Sequence, residues 1–172
     1  TNVLNDLSDY DCYPLAKGTR DYVVGDEIVY VEGSKTFTYY NLQSGQRVYT
    51  KDVSPVSGEL GGNKIKNMTV SANKRYTYVT FEMDQKVAYS AKYSSSAFTI
   101  EFFYTDGTPG NLNLNCTPLF DSAKWSGSTL NLALSTKSGF LGYTAYYEGK
   151  DLVFRFNNPT GTSSLSGVPI VV

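Results

Sequence analysis

Val79-Thr80-Phe81-Glu82-Met83 and, about fifty residues later, Leu130-Asn131-Leu132-Ala133-Leu134 are two copies of one pattern. Each alternates apolar and polar residues with a period of two, the repeat of an extended strand rather than of a helix. Val79, Phe81 and Met83 therefore share one face and Thr80 and Glu82 the other; in the second copy Leu130, Leu132 and Leu134 oppose Asn131, Ala133 and Ser135. The residues that follow also correspond. A polar turn (Asp84-Gln85-Lys86; Ser135-Thr136-Lys137) leads to an aromatic (Tyr89; Phe140) and then to a closing strand. That strand is Phe98-Thr99-Ile100-Glu101-Phe102 in one copy and Leu152-Val153-Phe154-Arg155-Phe156 in the other, with a small insertion near Glu148-Gly149. A sheet with one apolar face must bury it against a second layer. Two halves of matching design thus predict an all-β chain, a β-sandwich of two facing sheets with an internal pseudo-repeat. Burial of one Leu or Phe contributes about 1.5–3 kcal/mol, so the alternating positions together hold the strand register firmly.

Upstream of the repeats the pattern is that of short hairpins. Tyr22-Val23-Val24, Glu27-Ile28-Val29-Tyr30-Val31 and Thr36-Phe37-Thr38-Tyr39-Tyr40 read as strands, with turns at Glu32-Gly33-Ser34-Lys35 and Gln43-Ser44-Gly45-Gln46. Thr1 to Arg20 is polar and irregular and reads as a linker. The turn-rich Ser54–Asn63 segment marks the best internal boundary. The expected organisation is a β-hairpin region over 1–60, a sandwich over 61–165 and, from 166 to 172, the start of a linker or of the first strand of a further domain. Val168-Pro169-Ile170-Val171-Val172 is the apolar run behind that last expectation, the alternative being an edge strand of this same sandwich. Thr1 rather than Met opens the chain, as expected of a mature or excised piece.

Composition narrows the function classes. The 15 Lys and Arg against 16 Asp and Glu give a net charge of −1, and there is no basic block; nucleic-acid binding driven by counterion release has no footprint here. No transmembrane run and no signal peptide is legible. There is no histidine, which excludes Ser-His-Asp and Cys-His catalysis and His-based zinc sites within these residues. Cys12 and Cys116 fit a disulfide, a buried pair or two free thiols, and neither has a histidine to activate it. The carboxylates fall at outward strand positions or in turns rather than as an acid–base pair. Asp106-Gly107 is a turn and not a calcium loop. No catalytic residue, metal ligand or cofactor site is expected.

The aromatics are the remaining candidates for chemistry. Tyr occurs 15 times, and most of these rings are expected to fill a β core with the hydroxyl at its rim. Flat exposed rings also suit the apolar faces of sugars. Trp125 lies in the polar stretch Asp121-Ser122-Ala123-Lys124-Trp125-Ser126-Gly127, read as an exposed loop, and is the first candidate glycan contact; Tyr146 and Tyr147 are the others.

Leu165-Ser166-Gly167-Val168-Pro169-Ile170-Val171-Val172 resembles the lead-in to the catalytic domain of zinc-dependent bacterial N-acetylmuramoyl-L-alanine amidases. The repeats resemble the AMIN regions that precede such domains. Tyr39 to Val53 is similar to a stretch seen in some of these amidases from Gram-positive bacteria. The Asp-Pro-Gly-His-Gly-Gly motif that would supply a zinc ligand is not in this sequence, so no catalytic residue carries over. The resemblance implies a non-catalytic AMIN-like β-sandwich of a secreted, cell-wall-associated enzyme. Its expected partners are peptidoglycan or another wall glycan and a C-terminal catalytic domain of the same chain. The alternatives are a free-standing surface glycan-binding or adhesion module and a regulatory region covering the amidase cleft.

Overall fold

The computed structural model describes residues 2–4, 12–110, 112, 114–135, 139–161, 165 and 167–171. Their regular structure is almost entirely strand, with one 3-10 turn at Thr50–Asp52. In chain order the strands are β1 (Asn2–Leu4), β2 (Cys12–Pro14), β3 (Val23–Glu32), β4 (Lys35–Leu42), β5 (Arg47–Tyr49), β6 (Asn63–Ala72), β7 (Tyr76–Met83) and β8 (Tyr89–Tyr93). They continue with β9 (Ala97–Phe102), β10 (Thr105–Gly107), β11 (Phe120–Ser126), β12 (Thr129–Leu134), β13 (Tyr143–Glu148) and β14 (Asp151–Asn157).

The two alternating segments lie where their pattern predicts, facing one core, but they are interlocked. One sheet runs β10-β6-β7-β14-β13 and the other β11-β12-β9-β8. The opening strand of each repeat pairs with the closing strand of the other. β7 lies antiparallel to β14, with Val79 opposite Phe154 and Phe81 opposite Leu152. β12 lies antiparallel to β9, with Leu130 opposite Ile100 and Leu132 opposite Phe98. Exchanging β6 for β11, β7 for β12, β14 for β9 and β13 for β8 maps the first sheet onto the second, leaving β10 as an unmatched edge. The sandwich thus has pseudo-twofold connectivity.

The inward residues of all four central strands meet in the middle. Val79, Phe81, Phe98, Ile100, Leu130, Leu132, Leu152, Phe154 and Phe156 are each 0% exposed. Phe98 sits edge-on to Phe156 at 5.0 Å and to Tyr143 at 4.9 Å, and Phe81 edge-on to Phe102 at 5.0 Å. These are the geometries in which aromatic quadrupoles attract.

The N-terminal strands form a third sheet, ordered β2-β1-β5-β4-β3. The opening stretch, read as a linker, instead supplies two short strands, and Leu15 and Ala16 enter the same core as the sandwich. Three-residue strands are too short to show an alternation, so only ladder pairing reveals them. Ala16 N–H donates to Tyr89 Oη at 2.8 Å, Gln46 Nε2 to Tyr89 O at 2.8 Å, and Arg20 N–H to Lys86 O at 2.7 Å. The Asp21 carboxylate accepts from the Ser44 hydroxyl and from the Tyr104 phenol, clipping the sheet to the sandwich. Tyr104 sits at φ 56°, a left-handed conformation that non-glycine residues seldom adopt. At the sandwich entrance, buried Asn63 accepts from the backbone N–H of Asp84 and Gln85 and donates to Thr105 Oγ1 at 3.0 Å.

Two further readings change. Val23–Val24 and Glu27–Val31, read as parts of two strands, are one strand, β3, which leaves Tyr22 outside and is interrupted by a bulge between Val24 and Ile28 where Gly25 takes φ 73°. In the closing apolar run the described Val168, Ile170 and Val171 join no strand and are exposed, unlike residues of a sandwich edge.

Candidate functional site

The alternation that sends Val79 and Phe81 inward sends Tyr76, Tyr78, Thr80 and Glu82 to the outer face of β7. Across the ladder, the outward set of β14 is Asp151, Val153 and Arg155, and that of β13 is Thr144, Tyr146 and Glu148. Arg155 lies opposite Tyr78, and its guanidinium sits 4.5 Å from the Tyr76 ring centroid. The Tyr76 and Tyr78 rings meet edge-on at 6.1 Å. Tyr146 lies opposite Val153, which lies opposite Thr80; Val153 is only 3% exposed although it faces outward. The Tyr146 phenol is held above its ordinary value, first by desolvation, then by Glu148 and Tyr78, while Arg155 opposes the shift. Three tyrosines, a guanidinium and a valine floor therefore form one cluster on three adjacent strands.

Arg155 Nε is buried and has no hydrogen-bond partner among the described residues. A stacked guanidinium is attracted to a ring face, but an unused N–H remains costly. Two residues farther along the strands, Glu148, Asp151 and Glu82 stand in one cross-strand row. Like charges placed directly opposite one another destabilise a sheet, so this row does not serve pairing. Beside the rings it offers hydrogen-bond acceptors. Apolar ring faces flanked by a few fixed polar groups are the usual make-up of a small-molecule or sugar subsite.

The sequence-selected aromatics divide. Tyr146 belongs to this outer cluster. Tyr147, its neighbour, points the other way: it packs against the core, its hydroxyl donates to Val87 O at 3.3 Å, and Lys86 Nζ lies 5.3 Å over its ring. Burial pushes its phenol well above the ordinary value. Trp125 is not in a loop. It lies on β11 opposite Leu130, half-buried, with its ring 6.3 Å from Phe81 and 6.1 Å from Phe102. Its polar neighbours Lys124 and Ser126 are the outward residues of a strand, a pattern easily taken for a loop in a stretch this polar. Tyr76, Tyr78 and Arg155 are not among the aromatics and charges that the sequence singles out. Their signal was present: they occupy the polar phase of the very alternations that define β7 and β14.

Cys116 is an exposed free thiol with Sγ 3.4 Å from Val70 O, while the side chain of Cys12 lies outside the described residues. Among the described residues no group of three or more His, Cys, Asp or Glu is placed to hold a metal, and no helix is long and apolar enough to cross a membrane. No family model, curated protein or solved structure matches this chain.

Proposed function

We propose that this chain is a non-catalytic β-sandwich that binds bacterial cell-wall glycan and positions on the wall the protein to which it belongs, as expected of an AMIN-like region of a secreted N-acetylmuramoyl-L-alanine amidase. The observation that carries this reading is the outer-face cluster of Tyr76, Tyr78, Tyr146 and Arg155 with the adjoining Glu148–Asp151–Glu82 row. Sugar rings stack on the tyrosines; their hydroxyls bond to the carboxylates and to Arg155. The contact is assigned to Tyr146 with Tyr76 and Tyr78, rather than to Tyr147 or Trp125, because the latter rings pack inward. The Asp and Glu count so nearly cancels the Lys and Arg count that long-range attraction contributes little. Binding by short-range contacts persists in raised salt.

The test is co-sedimentation with purified, protein-free peptidoglycan. Each ring contact contributes about 0.5–1.5 kcal/mol, so a Tyr78→Ala, Tyr146→Ala double variant is expected to bind roughly ten- to a hundredfold more weakly while melting within a few degrees of the parent. Unaltered binding by that variant, or a parent chain that stays wholly in the supernatant, removes the assignment. Zinc-dependent release of stem peptides by this chain alone would overturn the non-catalytic reading.

A further inference from the structure

Among the described residues, the third sheet ends on a strand with one open edge. β3 is its outermost member, and the β3–β4 hairpin runs past the rest of the sheet, because β5 pairs only with Tyr39 to Asn41 of β4. From Ile28 to Glu32 the β3–β4 register is regular, each residue opposite one of Tyr39 to Lys35. The hairpin closes on the two-residue turn Gly33-Ser34, with Gly33 at φ 60°. In such a hairpin the closing pair, Glu32 with Lys35, exchanges both backbone bonds, and the direction alternates from there. Val29 and Val31 therefore direct their N–H and C=O groups to the open edge. Their side chains are 60% and 62% exposed. Natural sheets blunt such edges with charged side chains, proline, bulges or very short strands; in β3 the bulge and the carboxylates lie at the ends of the stretch, and Ile28–Val31 between them carries none of these.

Charge identifies what fits. Asp26, Glu27 and Glu32 flank the apolar stretch, and β3 contains no Lys or Arg. Among the described residues none of these carboxylates has a cation within ion-pair distance. Pairing β3 with a second copy would line up these carboxylates on one short ladder with no cation in the added strand. A strand with basic ends has complementary charge instead.

We propose that the open edge of β3 is a docking site for an extended partner segment of alternating β-branched residues with Lys or Arg at its ends, captured by strand addition. Backbone bonds to Val29 and Val31 hold the segment, as in other cases of sheet augmentation. Asp26, Glu27 and Glu32 select its charge. The site lies on a different sheet from the tyrosine cluster, so it stands independently of the glycan reading.

The probe is a fluorescein-labelled peptide, Lys-Arg-Val-Thr-Val-Thr-Val-Lys-Arg, read by fluorescence anisotropy against a counterpart whose ends are Glu and Asp. The basic peptide is expected to bind at least about tenfold more tightly, given several opposite-charge pairs, and to weaken with salt. Val29→Pro removes an outward N–H that bonds to nothing within the sheet, a position where proline is tolerated. It should abolish binding and leave the circular dichroism spectrum unchanged. Should that variant misfold, Glu27→Lys with Glu32→Lys must reverse the preference between the two peptides. Equal binding of both peptides, binding of neither, or no reversal by the double variant overturns the proposal. So does a concentration-dependent dimer of the parent in sedimentation that Val29→Pro dissociates, since the occupant would then be a second copy.

Discussion

Replacing Trp125 with alanine separates packing from recognition. The indole lies half-buried between Phe81 and Phe102, at 6.3 Å and 6.1 Å between centroids. Truncating a fully buried Trp or Phe to Ala costs about 3–5 kcal/mol. With part of the ring in solvent, Trp125→Ala should cost roughly 2–3 kcal/mol. A chain of this size loses about 2–4 °C of melting temperature per kcal/mol, so the expected fall is roughly 4–12 °C. Trp125→Phe behaves differently. Trp125 Nε1 is buried without a partner among the described residues, and an unpaired buried donor costs about 1–3 kcal/mol. Phe discards that donor and keeps most of the ring contact, so the two changes offset to within about 1 kcal/mol. Thermal unfolding by circular dichroism, with urea titration to check that the slope is unchanged, measures both variants. If Trp125→Ala melts within a degree or two of the parent yet loses peptidoglycan binding, the indole is a surface contact and the packing argument fails.

Three other outcomes follow from the same structure. Phe98→Ala empties a site with 0% exposure ringed by Phe154, Phe156, Tyr143 and Phe140; it should cost about 3–5 kcal/mol, and a chemical-denaturation midpoint near the parent's would contradict it. Asp21→Ala leaves Ser44 and Tyr104 without their acceptor and should destabilise by about 1–3 kcal/mol, with amide exchange accelerating first in the N-terminal sheet. Burial raises the Tyr143 and Tyr147 phenols above their ordinary value of 10.0; because the folded value is the higher one, the stability they contribute is complete below pH 10 and lost as pH rises beyond it. Phenolate absorbance should then show these two rings ionising only together with unfolding, and their early titration in the folded state would refute their burial.

How much of this was legible in the sequence depends on what a period-two pattern encodes. It encodes faces. Val79, Phe81, Leu130, Leu132, Phe154 and Phe156 are all fully buried as their alternation requires, and the turns at Gly33-Ser34 and Ser44-Gly45 fall between the strands they were read to join. The same property hid the candidate site. A tyrosine on the polar phase of a strand looks like surface filling, and only the lateral register brings Tyr78 beside Arg155 and Tyr146 beside Val153. The loop reading of the Trp125 stretch fails for the converse reason. β11 alternates weakly, with Ala123 and Trp125 as its inward residues among Ser, Lys and Asp, so there was too little apolar signal to outweigh a loop reading.

Partner choice is what the pattern cannot carry. Each repeat looks self-sufficient, with an opening strand and a closing strand of matched alternation, and the simplest assembly would pair them within the repeat. The structure pairs them between repeats: β7 with β14, and β12 with β9. Both arrangements send the same side chains inward, so alternation alone cannot distinguish them. The connections can. After β7 the chain must pass from one sheet to the other before β8 and β9, and after β12 it must pass back before β13 and β14. Neither repeat therefore owns a complete central strand pair, and neither can bury Phe98 or Phe154 without the other. The central pairings join residues as far apart as Tyr76 and Asn157. Closing such loops costs entropy before any burial offsets it, so the halves must condense together, and folding should be slow relative to helical chains of this length.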